Sequence, residues 1–178
     1  MSIQKNAKQN VTLQTEVERK WRLEQLPQLS LEIGNRHEIR QGYLITEGGE
    51  MRVRAKGEKF FITAKSDGSL SRSEWEEEIP QWVFDLLWSN TNNKTLEKIR
   101  YSVPYGNLTL EIDVYLGRLS GLLIVEIEFA NEAQALAFDI SAIAPGAVEV
   151  TADKRYKNKN LAVACSSGKD PCLPSVKD

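Results

Sequence analysis

Charged side chains recur at a spacing of two along much of this chain, and they are grouped by sign. Glu16 and Glu18 form one such set, with Lys20 next on the same face. Arg52 with Arg54, Lys98 with Arg100, Glu111 with Asp113 and Glu126 with Glu128 form others. Arg72, Glu74 and Glu76 make a mixed one, and Lys59 and Lys65 fall at one parity. Carboxylate pairs are hard oxygen donors of the sort Mg²⁺ takes, a few at a time, beside water and substrate phosphates. Paired arginines suit an oxyanion, because a guanidinium fork matches two phosphate oxygens. Both kinds of patch facing one space would make a site for a metal ion and a polyphosphate.

Such patches require an extended chain, since residues i and i+2 point the same way in a strand. Strands are expected over 13–21, 39–45, 50–56, 59–65, 71–79, 96–103, 108–116 and 122–129. Gly48-Gly49, Lys56-Gly57, Asp67-Gly68-Ser69 and Pro104-Tyr105-Gly106-Asn107 are turn signals between them. The opposite faces are apolar, as in Met51, Val53 and Ala55 or Leu123, Val125, Ile127 and Phe129. Helices are expected over 80–89, opened by Pro80, over 131–139, capped by Asn131, and over 154–164. Trp75, Trp82 and Trp88 read as packing between helix and sheet. One domain, 13–164, would lie between flexible extensions at 1–12 and 165–178.

Two arrangements satisfy this pattern. In one, the charged faces meet water and the helices cover the apolar faces. In the other, the sheet curls shut with the charges inside. Grouping by sign favours the second, because a face serving only solubility would mix signs. The fold expected is α+β, mainly antiparallel β: an eight-stranded closed tunnel, a β-barrel, with a charged lumen and helices packed outside. Unpaired buried charge is too costly to leave alone, so such a lumen must hold water, ions or a highly charged ligand.

Composition excludes several other chemistries. The only histidine is His37, in a polar stretch that reads as surface loop, and the two cysteines, Cys165 and Cys172, lie near the C-terminus. A four-ligand zinc site therefore lacks its favoured ligands. The cysteines are expected as reduced tail thiols. A net charge of −2 argues against a nucleic-acid binder, and an RNA-binding sheet would want exposed aromatics between the basic residues, which are not seen. No apolar run approaches the roughly 18 residues of a membrane span, and Met1–Thr12 shows no secretory signal. A cytoplasmic location is expected.

The motifs together are specific. Glu16-Val17-Glu18-Arg19-Lys20, Arg40-Gln41-Gly42-Tyr43-Leu44, Met51-Arg52-Val53-Arg54, Leu70-Ser71-Arg72-Ser73-Glu74, Glu97-Lys98-Ile99-Arg100-Tyr101, Glu111-Ile112-Asp113, Val125-Glu126-Ile127-Glu128-Phe129 and Asp153-Lys154-Arg155-Tyr156-Lys157-Asn158 occur in that order. This series resembles the CYTH superfamily, the triphosphate tunnel metalloenzymes, and within it the small bacterial inorganic triphosphatase branch. The resemblance runs from about residue 14 to 164. It implies an eight-stranded antiparallel tunnel that hydrolyses a triphosphate with Mg²⁺ or Mn²⁺. Under it, Glu16, Glu18, Glu126 and Glu128 would be the metal-side carboxylates. Glu111 and Asp113 would hold the metal's water shell or join the coordination. Arg52, Arg54, Lys65, Arg72, Lys98 and Arg100 would grip phosphate oxygens, and Lys154 and Arg155, beside Asp153, would sit near the tunnel wall as further phosphate contacts. Lys20 and Tyr43 resemble a catalytic pair.

Phosphoryl transfer to water needs positioning, charge neutralisation and an activated water rather than a covalent nucleophile. Activation by the metal is preferred to Tyr43 acting as base, since carboxylates outnumber that one tyrosine. The expected activity is cleavage of tripolyphosphate to pyrophosphate and phosphate. Thiamine or nucleoside triphosphatase activity remains open, as does a class IV adenylyl cyclase, although no residues that would seat adenine stand out. A non-catalytic polyphosphate-binding module would keep the basic groups but has little use for the acidic ones. The expected partner is a small-molecule triphosphate, with neither nucleic acid nor membrane, and the protein a monomer or homodimer.

Overall fold

The structure, a computed structural model, describes residues 14–27, 29–66 and 71–166. The period-two segments are strands: β1 (Gln14–Leu23), β2 (Asn35–Ile45), β3 (Glu50–Lys56), β4 (Lys59–Lys65), β5 (Ser71–Glu78), β6 (Thr95–Tyr105), β7 (Leu108–Tyr115) and β8 (Leu123–Phe129). They pair in the order β5-β4-β3-β2-β6-β7-β8-β1, every pair antiparallel. β1 then meets β5, with Gln14 opposite Glu74 and Val17 opposite Ser71, so the strands form a closed ring. A short β9 (Val148–Glu149) pairs with β1 at Trp21 and Arg22, beyond the β5 contact. Its two residues carry no period, so no sequence pattern announced it.

Register decides which side chains face inward, because residues directly opposite across a pair project from the same face. Lys20 lies opposite Glu126, and Glu18 opposite Glu128. Arg100 lies opposite Asp113, and Arg54 opposite Gln41. These point into the ring, and the apolar set points out.

Two helices cover that outer face as expected. α1 (Gln81–Trp88) follows Pro80 and buries Phe84 completely against Val53 and Ala55, with Phe60 and Ile62 alongside. Burying an aromatic of that size contributes about 1.5–3 kcal/mol. Gly42 permits the turn after α1 to close on β2, since a Cβ there would meet the Thr91 side chain at 2.6 Å. α2 (Glu132–Ala137) starts at Asn131, whose side chain accepts the Gln134 N–H at 2.9 Å. Ala135, Phe138, Ile140 and Ile143 then pack over Ile112, Val125 and Ile127.

α3 (Asn158–Ser166) does something else. The helix expected from residue 154 is broken in two. A 3₁₀ turn at Lys154–Tyr156 comes first, with the Asp153 carboxylate accepting the Arg155 N–H at 3.0 Å. Lys157, in extended backbone, separates it from α3. Leu161, Ala162 and Cys165 then pack with Tyr43, Leu96, Tyr115 and Ile124. Those partners occupy inward register positions: Tyr43 opposite Arg52, Leu96 opposite Gln41, Tyr115 opposite Lys98 and Ile124 opposite Asp113. α3 therefore stoppers one end of the ring instead of covering its outside.

Other expectations change as well. The extensions at 1–12 and 165–178 lie outside the described residues, except that Cys165 and Ser166 complete α3. Cys165 is disulfide-bonded, not a reduced thiol. Trp88 stacks on Phe84 at 5.3 Å, whereas Trp82 is 69% exposed and packs little. His37 lies on β2, opposite Arg100 and partly buried, instead of in a loop.

Candidate active site

The ring encloses a cavity of about 460 Å³ lined by Glu18, Lys20, Arg52, Arg54, Lys65, Lys98, Arg100, Glu111, Glu126 and Glu128, among others. One arc of its wall, β6-β7-β8-β1, is a dense ionic network. Glu126 accepts from Lys20 Nζ at 2.5 Å and from Arg100 Nη2 at 2.5 Å. Asp113, with no exposed surface, accepts from Arg100 Nε at 2.7 Å and Nη2 at 2.6 Å, and also from Lys98 Nζ. Arg100 binds Glu111 too, and Lys20 Nζ stands 3.1 Å from Glu18.

The network sets the charge states. Burial works to raise the Glu126 pKa, but Lys20, Arg100 and Lys98 outweigh it and hold the carboxyl well below its usual range. Lys98 goes the other way. Burial, and then the Arg100 charge, push its ammonium down to about 8 despite Asp113.

The second arc, β2-β3-β4-β5, is looser. Arg52 Nη1 is 3.3 Å from Glu50 and Nη2 is 4.0 Å from Glu74. Arg54 Nη2 donates to Glu76 at 2.7 and 2.9 Å, and Thr63 Oγ1 donates to the same carboxylate at 2.7 Å. Lys65 pairs with Glu74. The Nε atoms of Arg52 and Arg54 are buried and have no acceptor. An unmade hydrogen bond of this kind costs about 1–3 kcal/mol, so both donors are suited to an anion in the cavity.

Toward the α3 end the lining turns neutral. Gln41, 1% exposed, donates from Nε2 to Tyr43 Oη at 2.6 Å. Tyr115 Oη donates to Asn158 Oδ1 at 2.5 Å. Tyr43 has no exposed surface, and burial, then Glu50, push its phenol pKa far above the ordinary value.

Most of the residues singled out in the sequence meet at this cavity. Asp113 points inward but does not reach the cavity, lying fully buried beneath Lys98 and Arg100, and Tyr43 lies beneath Gln41. Glu16 and Arg72 are opposite one another in the β1–β5 register, their side chains outside the described residues. Lys154 and Arg155 are not brought in: Lys154 is exposed, and Arg155 Nη2 closes on Asp153 at 2.5 Å. Gln41, Lys56, Glu76 and Asn158 line the cavity without having been singled out as site residues. Spacing could have found Lys56, which continues the Arg52–Arg54 parity; Gln41 and Asn158 carry no charge and stood only as members of the Arg40–Leu44 and Asp153–Asn158 motifs, with no role of their own.

Among the described residues, no group of three acidic or histidine side chains is already gathered for a metal ion. The donor chemistry still fits a hard divalent cation. Glu18 and Glu128 face each other across β1 and β8, Glu126 is one inward position away, and all supply oxygen.

The chain is similar to known proteins. An inorganic triphosphatase from Nitrosomonas europaea is 44% identical over 158 residues, covering 84% of this chain and 98% of the relative. One from Acetivibrio thermocellus is 36% identical over 125 residues, covering 68% and 78%. A crystal structure of an inorganic triphosphatase superposes with a TM-score of 0.61 at 39% identity, covering 83% of this chain and 94% of the other. The CYTH domain matches residues 14–158, which take in the whole ring and the start of its stopper, and the chain belongs to the CYTH domain family.

Proposed function

We propose that this chain is a metal-dependent inorganic triphosphatase that cleaves tripolyphosphate to pyrophosphate and phosphate. The observation that carries the reading is the pair of buried Nε donors, on Arg52 and Arg54, left without acceptors in a closed lumen. A polyanion rich in oxygens would satisfy them. The relatives at 44% and 36% identity are both inorganic triphosphatases, which supports the same activity here.

In this reading Arg52, Arg54, Lys65 and Arg72 clamp the phosphate chain from one arc, and Lys98 and Arg100 reach it from the other. Asp113 and Glu111 act through those two cations, fixing where their heads lie. A Mg²⁺ or Mn²⁺ ion held by Glu16, Glu18, Glu126 and Glu128 would neutralise phosphate charge and acidify a water. Lys20, steadied by Glu126 and Glu18, donates toward charge that develops during transfer. Tyr43 keeps its proton at neutral pH, so it serves as a hydrogen-bond donor and not as a base. Lys154 and Arg155 take no part. The reading includes a cytoplasmic monomer or homodimer that needs no nucleic acid or membrane. None of the described helices is long and apolar enough to cross a bilayer.

The test is a panel of tripolyphosphate, ATP and thiamine triphosphate with Mg²⁺ or Mn²⁺, scoring phosphate and cyclic AMP separately. Tripolyphosphate should be cleaved fastest, with pyrophosphate accumulating. Cyclic AMP as the main product, or no phosphate release with either metal, overturns the reading. Glu18→Gln should abolish turnover while leaving the thermal unfolding midpoint near that of the parent.

A further inference from the structure

Among the described residues, the cations facing the lumen divide into those with a carboxylate at hand and one without. Lys20 has Glu126 and Glu18, Arg52 has Glu50, Arg54 has Glu76, Lys65 has Glu74, and Lys98 and Arg100 share Asp113. Lys56 has no carboxylate within 4.0 Å among the described residues. It lines the same cavity and is partly buried. Taking an ammonium partly out of water with no counter-ion is unfavourable. Burial, and then the Arg54 charge, lower its pKa, and the more distant Glu111 and Glu76 offset that only in part.

Its place follows from β3. Arg52, Arg54 and Lys56 are at i, i+2 and i+4 and so face one way, a cationic ladder about 13 Å long. The other end of that strand abuts the stopper, where Lys159 Nζ donates to Gly49 O at 3.1 Å. Lys56 is therefore at the open mouth. The next rung inward is Arg54, whose Nε lacks an acceptor. His37, on the neighbouring strand, is kept below its ordinary pKa by burial and then by Lys56, so it is neutral at pH 7 and does not supply this charge. Two adjacent donors without acceptors, on one face and opening on one cavity, make a seat for an oxyanion.

We propose that Lys56 is the outermost phosphate contact of the tunnel and distinguishes a triphosphate from a diphosphate. The identity of the anion rests on the triphosphatase reading above. A short chain seated on Arg52 and Arg54 is complete without Lys56, whereas a longer one extends to the mouth and gains a third contact.

Calorimetric titration in EDTA separates the two ideas, using tripolyphosphate and pyrophosphate against the parent, Lys56→Gln and Lys56→Arg. Lys56→Gln should weaken tripolyphosphate about tenfold, the effect of one charge-assisted hydrogen bond. Pyrophosphate should change less than about twofold, and Lys56→Arg should restore the difference. In turnover assays the loss should fall on KM more than on kcat. Equal weakening of both anions, or of neither, overturns the role of Lys56. A parent protein that binds tripolyphosphate in EDTA yet does not hydrolyse it when Mg²⁺ or Mn²⁺ is supplied refutes the triphosphatase reading, while the Lys56 comparison still decides. A parent that binds neither anion in EDTA overturns the role of Lys56, and the metal-supplemented substrate panel alone then decides the triphosphatase reading.

Discussion

The two arcs of the tunnel wall use similar residues to opposite effect. In β6-β7-β8-β1, acids and bases neutralise one another before any ligand arrives: Glu126 answers Lys20 and Arg100, and Asp113 answers Arg100 and Lys98. In β2-β3-β4-β5, the pairing is incomplete, with two arginine Nε atoms unmatched and Lys56 without a carboxylate. The first arc is tied together through Arg100, Glu126 and Asp113, each held from more than one side. The second is completed by its ligand. A charged lumen is thus stable where it compensates itself and receptive where it does not.

That contrast can be broken most severely at Glu126. Glu126→Ala would leave Lys20 and Arg100 facing each other in a buried site with an acceptor gone. Losing one partner of a buried pair costs about 3–5 kcal/mol, so chemical denaturation should show a large stability loss together with loss of turnover. Arg54→Ala should behave differently. Glu76 keeps the Thr63 hydroxyl as a donor, so the stability change should stay under about 1 kcal/mol, while KM for tripolyphosphate rises about tenfold. Equal stability losses in the two variants would erase the distinction between the arcs.

The subtlest effect is on pH dependence. Lys98 is a cation only below about 8 in the folded protein, so KM should climb as pH passes through that value. Lys98→Arg should flatten the curve, because guanidinium keeps its charge. Stability moves oppositely. An unfolded lysine holds its proton to about 10.4, so the unfolded state binds more protons between the two values, and this group's contribution to stability rises with pH across that window. A KM that is flat through pH 8 in the parent would show that Lys98 does not bind substrate as a cation.

Strand positions were legible because side-chain period is a local property. Arg52, Val53 and Arg54 announce a two-faced strand whatever surrounds them, and the sign grouping marked the face that turned inward. The roles within that face were less legible. Asp113 and Glu111 occur at the same spacing, yet full burial ties Asp113 to Lys98 and Arg100 while Glu111 reaches the cavity. Lys154 and Arg155 looked like further basic contacts, but a 3₁₀ turn directs Arg155 back to Asp153. Gln41 appeared in its motif without a role because an uncharged amide adds nothing to the charge pattern; its importance comes from being buried between Tyr43 and the cavity.

The order of residues alone settled the eight strands of the ring, the family resemblance and which faces carry charge, since alternation, turns and motif order depend on near neighbours. Closure through β1 and β5, the use of α3 as a stopper and the choice of which charges find partners were decided only in three dimensions. Those outcomes depend on register between strands far apart in the chain, where the placement of one carboxylate determines whether a cation is neutralised or left open to a ligand.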